Sequence, residues 1–276
     1  MNPKKEYALV TGATSGIGYE LAKLLAKDGY NLVIVSRDKK MADRKANEFD
    51  QAYGVKVVTI IKDLFNNEAA FELYDEIKSK GIKINVLVND AGQGQYGEFK
   101  DTDIRREIEI IQLNIISLVV LTKLFLKDMI KRKEGKILNV GSIAGKIPGP
   151  YQSVYHGTKA FVNSFTEAIR SEVKDSRITV TVLLPGATET DFFNKADMLN
   201  AKNVQDSKLA DPAIVAKDGY DALMKNDDKV ISGFKNKMQV AMGNILPDDV
   251  VADNVKKQQA PKEKHKNNSK KLIKKL

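Results

Sequence analysis

Three side chains able to handle protons lie close together in the sequence: the hydroxyl of Ser142, the phenol of Tyr155 and the ammonium of Lys159. If a helix begins near Gln152, Tyr155 and Lys159 stand one turn apart on the same face, phenol beside ammonium. A neighbouring cation favours phenolate and draws a pKa that is ordinarily about 10 toward the working pH, as a general acid/base requires. Ser142 follows the apolar run Lys136-Ile-Leu-Asn-Val-Gly141, a buried strand by its composition. It therefore stands at a strand's carboxyl end, where open α/β sheets place their ligands. Tyr-x-x-x-Lys alone describes an exposed tyrosine beside a solvated lysine equally well, so the rest of the chain must decide.

The chain opens with a strand, Glu6-Tyr-Ala-Leu-Val-Thr-Gly, a turn running Thr11-Gly12-Ala-Thr14-Ser15-Gly16-Ile17-Gly18, and a helical pattern through Leu21, Leu24 and Leu25. Glycines let such a turn approach a pyrophosphate closely, and the amides at the helix start offer donors and a positive dipole end. Gly12, Thr14, Ser15, Gly16, Ile17 and Gly18 are thus the expected cofactor loop. The second strand, Asn31–Ser36, delivers Ser36 and Arg37 to the adenosine ribose. A guanidinium there grips a 2′-phosphate, so NADP(H) is expected over NAD(H). Asp38 is read as the cap of a helix over 39–50. A third strand, Val55–Ile61, ends near Asp63 and Leu64, a pair placed to meet the adenine. A helix over 66–80 and a strand Ile84–Val88 lead to Asn89-Asp90-Ala91-Gly92, in which Asn89 reads first as scaffold beside the cofactor. The loop 94–99 then borders the substrate.

A long helical segment over 103–131 carries Asn114 amid apolar residues, either a satisfied core amide or part of a site. The helix 152–174 and the strand Ile178–Leu184 end in Pro185, Gly186, Thr188 and Thr190. The polar stretch 191–209, with Phe192, Phe193 and Met198, has the character of a lid. Asp211 and Pro212 start a helix to about Lys225, and Lys229–Ser232 is a last short strand. Strands alternating with helices predict an α/β fold, a single Rossmann-like domain with a parallel sheet of about seven strands covered by helices on both faces. The domain is expected over residues 1–255, with a basic, disordered tail over 256–276. Of the net charge of +9, the tail's nine lysines and one glutamate carry +8. The body therefore has no basic stripe, and dedicated nucleic-acid binding is not expected. The tail could touch anionic surfaces weakly. Cysteine is absent, which excludes disulfide and thiol chemistry and is compatible with a reducing cytoplasm, the expected location. The first strand starts too early for a signal peptide, and no apolar run of membrane-spanning length is read.

Taken together, the cofactor turn, Asn89-Asp-Ala-Gly92, Asn114, Ser142, Tyr155, Lys159 and Pro185-Gly186 resemble a short-chain dehydrogenase/reductase of the common single-domain type. Asp90 replaces that family's second Asn, a mild departure. The resemblance implies reversible hydride transfer between a nicotinamide and a carbonyl or alcohol, with Asn114, Ser142, Tyr155 and Lys159 as the catalytic tetrad. It also implies cofactor contacts from Asn89, Ala91, Gly92, Tyr155, Lys159, Pro185, Gly186, Thr188 and Thr190. In this reading Asn114 secures a water linking Lys159 to bulk solvent. A homodimer or homotetramer through helices 103–131 and 152–174 is implied by the same analogy. The substrate is expected to have an apolar part, facing Tyr96, Ile143, Tyr151, Phe192, Phe193 and Met198. No metal is expected, and neither His156 nor His265 has an assigned role. A cofactor-binding sensor or scaffold with little catalysis is the alternative.

Overall fold

The computed structural model describes residues 6–206, 208–243 and 245–262. Seven strands form one sheet: β1 Tyr7–Thr11, β2 Asn31–Ser36, β3 Val57–Ile61, β4 Ile84–Asn89, β5 Gly135–Val140, β6 Ile178–Leu184 and β7 Lys229–Ile231. Their order is β3-β2-β1-β4-β5-β6-β7, and each pairing is parallel. Strands such as Ala8–Val10 and Val182–Leu184 are apolar on both faces and completely buried, as a sheet covered from both sides requires. The order reverses between β1 and β4, and a crevice opens there at the carboxyl ends of the strands.

The helices are α1 Gly16–Lys27, α2 Lys39–Tyr53, α3 Ala69–Ser79, α4 Ile104–Ile111, α5 Leu118–Arg132, α6 Ser153–Val173, α7 Phe192–Lys195, α8 Lys202–Asp206, α9 Pro212–Lys225, α10 Phe234–Gly243 and α11 Asp248–Gln259. On one face Leu21, Leu25, Val215 and Leu223 of α1 and α9 pack on Val10, Val88 and Leu138. On the other, Leu73, Leu121, Phe125 and Met129 of α3 and α5 pack on Leu9, Leu87 and Ile137. Asp38 caps α2 by accepting from the Met41 amide at 3.0 Å, and Asp211 caps α9 by accepting from the Ala213 amide at 2.8 Å. Both aspartates act as the sequence predicts.

Four features depart from expectation. The segment 103–131 is not one regular helix, because a π-helical turn, Gln112–Ser117, separates α4 from α5. Within 104–132 an 18-residue stretch, of mean hydropathy 1.8, is apolar and long enough to cross a membrane, yet 56% of it is buried. It is the core helix lying on β4 and β5. The expected irregular lid holds two short helices, and Phe193, Met198 and Ala201 form a small buried core of their own instead of lining a pocket. The domain does not stop at residue 255: α11 runs to Gln259, the Lys202 amide bonds Ala260 O at 3.1 Å and the Lys262 amide bonds Asn200 O at 2.8 Å. The rest of the expected tail, 263–276, lies outside the described residues.

Candidate active site

Asn89 anchors the floor of the crevice. Its Nδ2 donates to Thr122 Oγ1 at 3.0 Å and to Asn139 Oδ1 at 2.9 Å, and Asn139 in turn donates to Thr166 Oγ1 at 3.0 Å. This buried polar ladder ties β4 and β5 to α5 and α6, so Asn89 is scaffold. Thr11 Oγ1 accepts the amides of Asp90 and Ala91 at 3.1 and 3.2 Å, which fixes where the chain leaves β4.

Above this floor runs the glycine turn. Gly12 and Gly16 have φ of +77° and +59°, and Cβ atoms placed on Gly12 and Gly18 would lie 2.7 and 2.4 Å from Asp90 Oδ2. Only glycine fits at these two points. A Cβ on Gly16 would meet Thr190 Cγ2 at 2.9 Å, so Thr190 closes the crevice from the opposite side. Ser15 caps α1 without a side-chain bond, and the first turn of α1 contains no acidic residue. The helix start, with Thr14, Ser15 and Ile17 around it, is therefore an anion-accepting cradle, and these residues fit a dinucleotide pyrophosphate. Ser36 and Arg37 leave β2 beside it. The Arg37 guanidinium is exposed, 4.9 Å from the Phe65 ring and 3.9 Å from Asp63 Oδ1. Leu64 is buried, and its carbonyl accepts from Ser117 Oγ at 2.7 Å. Leu64, Ala91, Leu113 and Leu118 line a small recess next to Asn89.

Ser142 caps a single 3-10 turn, Ile143–Lys146, by accepting from the Ala144 amide at 3.0 Å, and donates to Pro185 O at 3.3 Å. Its hydroxyl also lies close enough to Tyr155 to draw the phenol's pKa down. Tyr155 and Lys159 sit on the same face of α6 as predicted, and the Lys159 ammonium lies 5.9 Å from the centre of the Tyr155 ring. The electrostatic expectation needs correcting. Burial pushes the Tyr155 phenol up to about 12, opposed by the Ser142 hydrogen bond and reinforced by the charge of Asp90. Lys159 donates to Val140 O at 2.7 Å, and burial pushes its own pKa down to about 8, against the pull of Asp90. Desolvation outweighs the pairwise attraction on which the sequence argument rested.

Asn114, on the π-turn, has both amide hydrogens and one lone pair engaged. Oδ1 accepts the Gln93 amide at 3.0 Å, and Nδ2 donates to Gln93 O at 2.9 Å and Thr158 Oγ1 at 3.0 Å. Its side chain straps the loop after Gly92 to α6: both Nδ2 hydrogens are spent on that strap, and Oδ1 keeps a second lone pair for the expected water. A Cβ on Gly92 would lie 3.3 Å from Asn114 Oδ1 and 3.5 Å from Lys159 Nζ, which puts Gly92 at the meeting point. Gly186 packs against Asn236, and Thr188 Oγ1 donates to Gly186 O at 3.0 Å.

Sequence reasoning passed over two features. The inward carboxyl of Asp90 accepts the Gly18 amide, and burial pushes it up to about 7 despite the nearby Lys159. The letter change from Asn to Asp was visible, but the desolvation was not. Gln152 Nε2 and Gln95 Oε1 are buried without a hydrogen-bond partner, and a Cβ on Gly94 would stand 3.4 Å from both Gln152 Nε2 and the Tyr155 ring. Around them Phe192 packs on Tyr155 with centroids 4.9 Å apart, and Tyr96 on Tyr151 at 5.6 Å. His156 is buried, with Nδ1 3.0 Å from Ile147 O and Nε2 3.4 Å from Gln259 Nε2. It locks α6 to the C-terminal helix and takes no part in the crevice.

The family model described as short chain dehydrogenase matches residues 6–199. The very-long-chain 3-oxoacyl-CoA reductase of Anas platyrhynchos is 39% identical over 185 residues, 65% of this chain and 58% of that protein. The protein of that name from Laccaria bicolor is 37% identical over 181 residues, 64% of this chain and 53% of its own length. The match thus spans little more than half the length of these relatives. Among solved structures, a short-chain dehydrogenase from Sphingobium yanoikuyae in complex with NADPH superposes with a TM-score of 0.79 at 26% identity, covering 87% of this chain and 93% of that one. The bulky-bulky ketone specific alcohol dehydrogenase from Comamonas testosteroni gives a TM-score of 0.74 at 26% identity and the same coverage.

Proposed function

Because the chain belongs to the short-chain dehydrogenases, NAD(P)-dependent oxidoreductases, we propose that it reduces the 3-oxo group of an acyl thioester with NADPH, with Tyr155 as proton donor. The observation that carries this reading is the buried Tyr155 phenol brought beside Ser142 at the carboxyl end of β5, next to the glycine cradle. A phenol held near 12 keeps its proton at neutral pH, the state a reductase needs. When bound, the nicotinamide supplies the hydride. Ser142 turns its hydroxyl to the substrate oxygen as charge grows on it, and Tyr155 O–H gives up its proton to that oxygen. Lys159, beside Gly92, holds the nicotinamide ribose and returns positive charge to the site. The cradle from Gly12 to Gly18 takes the pyrophosphate, and exposed Arg37 takes the 2′-phosphate, which gives the preference for NADP(H).

The names of the curated relatives support a 3-oxoacyl thioester. So do the aromatic walls of Phe192, Tyr96 and Tyr151, and the unpartnered Gln152 amide offers a donor to a second carbonyl. A homodimer or homotetramer belongs to the same proposal, supported by Ile104, Ile108, Ile116 and Phe161, which stand exposed on α4, the π-turn and α6. So does a cytoplasmic location.

The test is NADPH oxidation against 3-oxoacyl-CoA esters of increasing chain length, with Tyr155→Phe alongside. The variant should bind NADPH with unchanged affinity and lose about 10²–10⁴-fold in kcat. Near-normal turnover by that variant would refute the assignment of Tyr155, and absence of NADPH binding by the wild-type protein would dispose of the whole reading, leaving the sensor alternative without a ligand as well.

A further inference from the structure

Asp90 stands in the wall of the glycine cradle. Its Oδ2 lies so close to Gly12 and Gly18 that Cβ atoms there would meet it at 2.7 and 2.4 Å, and the Gly18 amide is hydrogen-bonded to the carboxyl. Gly18 is the third residue of α1, so that amide is one of the donors a helix start otherwise offers to an anion. A carboxyl group therefore shares the cradle with the pyrophosphate the cradle fits.

The surrounding groups decide its charge. On α6, Lys159 attracts the carboxylate and Tyr155 feels its repulsion. The turn from Thr11 to Gly18 and the strand β4 contain no ionisable side chain. The Lys159 ammonium already donates to Val140 O at 2.7 Å. Phosphate charges entering beside a carboxylate at low dielectric are opposed, and protonating the carboxylate removes that opposition. Asp90 keeps partial exposure to solvent, and a ligand lying in the cradle covers what remains, which disfavours the charge further. Burial already pushes the carboxyl up to about 7, so the proton is within reach at neutral pH. On the reading that this crevice binds NADPH, we propose that Asp90 makes cofactor binding take up one proton from solvent: the pyrophosphate is held beside the carboxylic acid and opposed by the carboxylate. The acid also presents an O–H donor where the carboxylate presents only acceptors.

Because the carboxyl holds its proton more tightly with the cofactor bound, affinity should fall as pH rises. The acid form makes up about half of the free protein at pH 7 and about one-tenth at pH 8, so the Kd for NADPH should be about fivefold larger at pH 8. Both conditions lie above the titration of a phosphate near 6. Lys159, pushed down to about 8, loses charge over the same range, and infrared difference spectra of the full chain at pH 8, NADPH-bound minus free, separate the two. The wild type should lose a carboxylate band and gain a carboxylic-acid band, both shifting when the protein is made with isotope-labelled aspartate. Asp90→Asn should bind NADPH and show neither change. Binding by the wild type without an acid band, or with a Kd that is the same at pH 7 and pH 8, overturns the proposal and leaves the cofactor reading standing. An acid band that ignores the label or survives in Asp90→Asn assigns the proton to another group and overturns it as well. Absence of NADPH binding at either pH overturns both.

Discussion

Gly145→Ala tests whether the spacing of the site is set by backbone contact. Gly145 lies in the 3-10 turn that begins after Ser142, and a Cβ there would stand 2.4 Å from Lys159 C and 2.5 Å from both Lys159 O and Ala160 N. All three atoms are main chain of α6, at the turn that carries the ammonium, so no side chain can swing aside. An ordinary contact needs about 3.4 Å, so the two segments must part by about 1 Å. The expected loss of stability is about 1–3 kcal/mol, as for other overpacked cores, a fall in Tm of about 2–4 °C for each kcal/mol in a domain of this size. Because Ser142 and Tyr155 stand on the two sides of the wedge, turnover should fall further than stability implies, by about 100-fold. Differential scanning fluorimetry, NADPH titration and steady-state kinetics on the folded variant read these separately. An alanine variant with wild-type kcat and Tm would show that the contact does not set the geometry.

Asp90→Asn should stabilise the protein in a pH-dependent way. The carboxyl titrates near 7 when folded, above its ordinary value near 4, so the folded state holds its proton more tightly than the unfolded chain. The wild type thus loses stability relative to the variant as pH rises from about 4 to about 7, with no further change from this group above that. Melts across this range should show the variant's advantage growing and then levelling, and a constant difference would sink the argument. Arg37→Asp should shift the ratio of kcat/KM values for NADPH and NADH toward NADH by about 10-fold or more, through loss of a charge-assisted contact. An unchanged ratio rules Arg37 out as the clamp. His156→Ala should loosen the C-terminal helix, increasing amide exchange in α11 while leaving β1 and β4 protected, because the ring bridges α6 to Gln259. Unaltered exchange in α11 would contradict that bridging role.

Much of the site was legible because its signals are local. The four-residue step from Tyr155 to Lys159 fixes a shared helix face, the glycines of the turn announce a close approach, and fully apolar strands such as Val182–Leu184 announce a sheet buried on both faces. What escaped depends on elements far apart in sequence. That Asp90 loses its water follows from Gly12, Gly18 and α6 closing around it, which no window of the sequence contains. The same closure overturned the expected fall in the Tyr155 pKa. Asn114 showed a need for partners but not their identity, since Gln93 and Thr158 arrive from other segments. Helices α10 and α11 carry apolar residues on their outward sides too, which blurs the one-face pattern by which helices are recognised.

The π-turn at Gln112–Ser117 accommodates one residue more than a regular α-helical turn, so the helices on its two sides keep their phase. Removing one residue there would close the wide turn into continuous α-helix and leave Leu121, Phe125 and Met129 on the sheet, while Asn114 would lose the position from which its amide reaches Gln93 and Thr158. Homologous chains one residue shorter at this point should therefore keep the sheet packing of α5 and lack that amide strap.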